Sequence, residues 1–293
     1  VNSSGGKLIL NGHICSDTVN GDDPSDTARY SGTLTAATLI GLGMAADDVA
    51  KGIQYGGIEV LIISLGSGSD DFVIQSTHTG STTLNANNGV DQIAIRTISG
   101  LTTINGGEGS DKINVGSNAT PTTNTGGNVN SISAALFVNG DANTTGNGDV
   151  LNVDDTGDSA ANTGALTSTQ LTGLGMSVGI TYNTLELLKT NLGSGGDTFD
   201  VFSTFATTLT LLNANQGADT ITIPSSNAQP VTVGQADANA GEALLVWGRG
   251  HGDGAVAAGA SEGDVRVRHE GLIGGNGGQG EAARSGLNVA NGE

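Results

Sequence analysis

Apolar residues recur two apart in short runs along most of the chain, as in Phe72/Ile74, Ile93/Ile95, Ile113/Val115 and Ile221/Ile223. A period of two is that of a strand with one face buried and one exposed. Runs this short bury little alone, so the predicted strands must stack on one another. Between them lie Gly/Asn-rich loops that end in aspartate. Thr102-Thr-Ile-Asn-Gly-Gly-Glu-Gly-Ser-Asp-Lys-Ile-Asn-Val115 shows the unit most clearly. The loop aspartates fall at Asp70, Asp91 and Asp111, then at Asp197 and Asp219, with Asp17 and Asp149 as degenerate members. The spacing is about 20 residues, which suits one turn of a parallel β-solenoid with tight corners. Inward residues would then form ladders of Ile, Leu, Val and Phe, and outward Thr, Ser and Asn would form polar ladders. Helix is expected nowhere except as a possibility at 45–51 and 236–245.

A longer repeat encloses the short one. Residues 17–44 match 149–176 at about half their positions, including Asp22/Asp154, Asp23/Asp155, Asp26/Asp158 and Gly32/Gly164, and both copies reach Gly-Leu-Gly-Met, at Gly41 and Gly173. The match resumes at Tyr55/Tyr182, Asp70/Asp197 and Asp91/Asp219. The chain therefore divides into a first module at 1–148, a second, truncated module at 149–225 and an atypical Gly/Ala-rich segment at 226–293. Strands at 243–247 and 264–269 would continue or cap the stack, and 271–293 reads equally well as a flexible end.

Composition narrows the class. Glycine supplies 49 of 293 residues and aromatics 3%, too few large side chains for a conventional core, yet 36% are hydrophobic, too many for a disordered chain. Asp and Glu outnumber Lys and Arg by 29 to 10, a formal charge of −19, which repels nucleic acid. No apolar run reaches the ~20 residues of a membrane helix. One cysteine, Cys15, excludes an internal disulfide framework; it reads as a small buried or turn residue. Val1 in place of an initiator Met, with no signal peptide, points to a processed product or a fragment.

Gly106-Gly-Glu-Gly-Ser-Asp-Lys-Ile-Asn114 fits the nonapeptide G-G-x-G-x-D-x-U-x in full. Here the chain resembles the RTX family of secreted calcium-binding repeats, and it is similar to the β-solenoid repeats of large bacterial surface proteins. Gly66-Ser-Gly-Ser-Asp70 and Gly193-Ser-Gly-Gly-Asp197 keep part of the pattern, while Asn87-Asn-Gly-Val-Asp91 and Asn215-Gln-Gly-Ala-Asp219 keep one glycine and the aspartate. The resemblance implies calcium held by loop carbonyls and by Asp70, Asp91, Asp111, Asp197 and Asp219. The other reading of these aspartates is turn chemistry, since Asp and Asn bond their own backbone at tight corners. Stacked carboxylates repel, and a divalent cation would relieve that repulsion. The acidic run Asp22/Asp23/Asp26 and its copy Asp154/Asp155/Asp158 reads as a solvated loop.

No catalytic constellation assembles. His78 aligns with Phe205, so it reads as a turn or ladder residue, and Tyr55 and Tyr182 read as one repeated structural feature. The expected function is structural: an extracellular or cell-surface stalk, adhesin segment or filament subunit, calcium-stabilised. Its partners would be other copies stacked end to end, neighbouring repeats of a longer chain, or surface glycans. A β-helix polysaccharide lyase, hydrolase or epimerase is the alternative, and a carbohydrate-binding module the third.

Overall fold

The computed structural model describes residues 7–44, 52–141, 148–224, 231–234, 244–249 and 265–270. Every regular element among them is a strand, and the strands form two sheets, one of 11 and one of 12 strands. The chain is all-β, as its period-two pattern predicts. It passes back and forth between the sheets. Asp71–Ile74, Gln92–Ile95 and Lys112–Val115 lie in the first, and Val60–Ser64, Ser81–Asn85 and Thr102–Asn105 lie in the second. Each of these strands pairs in parallel with the strand one circuit earlier, so that Thr82 faces Thr102 and Ile93 faces Ile113.

In-register stacking places like side chains over like. Ile63, Leu84, Ile104 and Val138 form one inward row, and Phe72, Ile93, Ile113, Leu151 and Leu188 form another. All of them are fully buried. Each such side chain contributes about 1.5–3 kcal/mol through burial, and repetition from circuit to circuit makes up for the thin layer. Asparagines stack in hydrogen-bonded ladders on both sheets. Asn105 donates to Asn85 and Asn139 to Asn105 on one sheet, and Asn152 donates to Asn114 and Asn191 to Asn152 on the other.

Parallel order is broken once in each sheet, so both sheets are mixed. Ser31–Leu34, Thr38–Gly41 and Ile53–Gly56 form an antiparallel meander in the first; Thr163–Leu166, Gln170–Gly173 and Ile180–Asn183 repeat it in the second. The Gly-Leu-Gly-Met turn leaves the middle strand each time. Gly41, Leu42 and Gly43 have φ of 86°, 53° and 75°, and Gly173, Leu174 and Gly175 have 79°, 54° and 79°. Glycine adopts these angles freely; the central leucines are held there with their side chains buried in the core.

The two copies of the repeat therefore occupy opposite sheets. Leu8–Asn11 lies in the first sheet, and the similar segment Leu136–Asn139, just ahead of the second copy, lies in the second sheet. An odd number of sheet visits separates them, so the module spans a half-integral number of circuits. Leu244–Arg249 and Val265–Glu270 extend the second sheet in parallel, as continuations of the stack. The helix possibility at 45–51 and the segment 271–293 lie outside the described residues. Of 236–245 only Leu244 and Leu245 are described, and they lie in a strand.

Candidate functional site

The loop aspartates lie at the corners where the chain crosses between sheets. Because the module swaps sheets, they fall on two edges. Asp70, Asp91 and Asp111 follow strands of the second sheet and precede strands of the first; Asp197 and Asp219 occupy the reverse crossing. All five are at most 2% exposed.

On the first edge the aspartates bond to one another through the backbone. Tyr30 N–H donates to Asp70 Oδ1 at 2.7 Å, Asp70 N–H to Asp91 Oδ1 at 2.6 Å, and Asp91 N–H to Asp111 Oδ1 at 2.8 Å. Asp111 N–H donates to Asp149 Oδ1 at 2.8 Å, and Asp149 N–H to Glu186 Oε2 at 2.6 Å. The ladder thus crosses the module boundary without interruption. On the other edge Asn162 N–H donates to Asp197 Oδ1 and Asp197 N–H to Asp219 Oδ1, each at 2.7 Å. Every rung satisfies a corner N–H that a sheet ladder cannot reach, which is why one acidic side chain per circuit belongs there. Sequence reasoning sets the aspartates in loops between strands, and in the structure they lie in such loops. It misses the terminal rung Glu186, because a glutamate two residues before Leu188 carries no glycine-loop signature.

The second carboxylate oxygen is another matter. Asp91 Oδ2 and Asp111 Oδ2 are buried with no hydrogen-bond donor. Burial pushes the Asp91 carboxyl up to about 8 and that of Asp111 to about 6, against the lowering effect of the backbone N–H each accepts; neighbouring aspartates add repulsion. Asp70 and Asp197 are also raised, chiefly by burial. The edge therefore holds carboxyl groups that stay protonated well above the usual carboxylate range.

The fit to calcium turns on the oxygens that remain. Each Oδ1 is already bonded to an N–H, and the carbonyls of Asp70, Asp91 and Asp111 accept from Gln92, Lys112 and Val150. Among the described residues no three His, Cys, Asp or Glu side chains converge as a metal cage. Once ionised, Asp91 Oδ2 and Asp111 Oδ2 are hard donors, so a calcium there would displace a proton and take one carboxylate oxygen per circuit. Carbonyls and water would have to supply the rest of its six to eight ligands.

The acidic run behaves differently in its two copies. Asp22 is exposed, as expected of a solvated loop, whereas Asp154 and Asp155 are fully buried. Residues 116–135 lie over them. Gly127 N–H donates to Asp154 Oδ2, Val129 N–H to Asp155 Oδ1, and Asn130 Nδ2 to Asp158 Oδ2. The solvated-loop expectation thus fails for the second copy, because this loop covers it. Burial pushes Asp155 up to about 7, while the Ala160 N–H and two asparagine amides hold Asp158 below its ordinary value.

His78 lies edge-on to Tyr55, with ring centroids 6.0 Å apart, and its Nε2 is buried without a partner. Burial lowers its pKa, which favours the neutral ring. Tyr55 and Tyr182 make equivalent bonds, to the carbonyls of Thr35 and Thr167 at the mouths of the two meanders. Cys15 is exposed in a turn. Neither a protein-family model nor a curated protein matches the chain, so its own geometry must carry the functional reading.

Proposed function

We propose that the chain is a parallel β-solenoid serving as an extracellular or cell-surface structural element: a stalk, an adhesin segment or a filament subunit. Its edge carboxylates carry protons, or calcium at neutral pH. The observation that supports this most is the rung-by-rung bonding that runs from the Tyr30 N–H through the buried carboxyl groups of Asp70, Asp91, Asp111 and Asp149 to the exposed Glu186. Such an edge fixes circuit to circuit, which is what a load-bearing rod requires of its repeats. The strongly acidic composition suits a surface exposed to divalent cations.

Sedimentation velocity of the full chain, in calcium and then in excess chelator, tests the reading. It expects an elongated particle in both, more compact or more extensively assembled with calcium. An unchanged coefficient after chelation removes calcium from the proposal. A compact, near-spherical particle overturns the rod, and cleavage of an acidic polysaccharide by the purified chain would instead support a β-helix enzyme.

A further inference from the structure

The two sheets present unlike outer faces. On the first, Asp71, Lys112 and Lys189 point outward. The loop 116–135 is bonded there: Arg96 Nε donates to the Ala119 carbonyl, Lys112 Nζ to that of Thr122 and Asn114 Nδ2 to that of Thr120. On the second, Val60–Ser64, Ser81–Asn85, Thr102–Asn105, Leu136–Asn139 and Ile180–Asn183 lie side by side and contain no charged residue, in a chain whose formal charge is −19. These five strands and the two that flank them, Thr18–Asp22 and Gln170–Gly173, are all described.

In-register pairing draws the outward residues of this face into rows. Ile62, Thr83, Thr103, Phe137 and Thr181 form the central one, across roughly 20 Å at the spacing of strands. Phe137 is 37% exposed although it stands in mid-sheet, between two threonines. Beside the row runs the half-buried ladder of Asn85, Asn105 and Asn139, in which each amide donates one N–H to the preceding circuit. A primary amide has two N–H groups and an oxygen with two lone pairs, so each rung keeps bonding capacity for a partner outside. The second module keeps the ladder but not the row. Its equivalents of Ile62 and Thr83 are Lys189 and Leu211, while Asn213 still donates to Asn191. The amide stack therefore belongs to the repeat, and the uncharged row of threonines with Phe137 distinguishes this face.

We propose that the outer face of these five strands, centred on Phe137, binds an uncharged polysaccharide lying across the strands. Charge selects the class. An anionic or cationic partner finds no counter-charge on these strands, whereas a neutral polyol needs none. A sugar ring offers both things the face can use. Its C–H groups lie over the Phe137 ring, and the hydroxyls at its edges exchange hydrogen bonds with threonine hydroxyls and asparagine amides. A protein partner would require a larger apolar centre than one partly exposed ring. The inference rests on the adhesin reading above for its setting and gives it a partner. Retention by a polymer and particle shape are measured separately, so either can fail alone.

Affinity electrophoresis of the full chain through gels containing dextran, hydroxyethylcellulose or galactomannan tests it, with polygalacturonate as the anionic comparison. At least one neutral polymer should retard the chain, and polygalacturonate should not. Phe137→Ala and Thr103→Asp should each weaken that binding by about fivefold or more. Both positions face outward, so the melting temperature should stay within about 3 °C of the unsubstituted chain. Lys189→Ala, on the other sheet, should leave the retardation unchanged. Phe137→Leu keeps the apolar bulk while removing the ring, and it should lose binding like Phe137→Ala, which keeps the test readable where a smaller side chain costs stability. No retardation by any of the three neutral polymers overturns the proposal. So does undiminished binding by Phe137→Leu, or retardation by polygalacturonate alone. Self-association in sedimentation that Phe137→Leu abolishes overturns it in favour of a second copy of the chain as occupant.

Discussion

Asp91 is a rung with two unlike oxygens: one accepts the N–H of Asp70, and the other is buried with nothing donating to it. Asparagine keeps the first acceptor and removes the ionisable oxygen. Asp91→Asn should therefore raise the melting temperature at pH 8 in chelator and leave it nearly unchanged at pH 4. Asp91→Ala strips the acceptor from a buried N–H, and chemical denaturation should show a loss of about 1–3 kcal/mol at pH 4 and a smaller one at pH 8, where removing the ionisable group offsets part of it. The spacing of the aspartates was legible because one acidic residue per circuit repeats in sequence. Their bonding was not, since an Oδ1 that serves the preceding circuit's N–H depends on inter-strand register. His78 was legible in the same limited way: its replacement by Phe205 in the sister copy marked it as structural, but only the fold shows its ring edge-on to Tyr55.

At the scale of elements, alternation predicts the strands, and the buried pairs Phe72/Ile74, Ile93/Ile95 and Ile113/Val115 lie on the inward faces. The antiparallel meanders were not legible. Gly-Leu-Gly-Met was visible as a repeated motif, yet nothing in its composition says that three consecutive left-handed residues reverse the chain within one sheet. Gly173→Ala puts a β-carbon 2.0 Å from the Thr163 carbonyl oxygen at a φ of 79°. The strained backbone alone costs on the order of 1–3 kcal/mol, so a thermal melt should show clear destabilisation, and exchange should quicken first in 163–183. Nor did the sequence disclose that the module has an odd number of sheet visits. That parity, set by strand count and not by any one residue, sends Asp70 and its copy Asp197 to opposite edges.

Across the whole molecule, sheets of 11 and 12 strands at ~4.8 Å spacing make a stack roughly 50 Å long, with carboxylates along both edges. Its stability should follow their protonation. The folded-state pKa values of Asp91, Asp155 and Asp111, about 8, 7 and 6, lie above the ordinary 3.8, so the native state holds protons that the unfolded chain has released. Their contribution is fully present below pH 4 and is lost as pH rises toward 8. Asp158, held low, acts in the opposite sense, but only below its ordinary pKa. Self-repulsion of a chain at −19 adds to the loss at high pH. The most direct measurement is the melting temperature of the full chain from pH 4 to pH 8 in chelator, repeated with calcium. A fall across that range, reversed by calcium at pH 8, is the expected result. A melting temperature that rises or stays level from pH 4 to pH 8 in chelator would contradict the buried carboxyl ladder as the element that ties one circuit to the next.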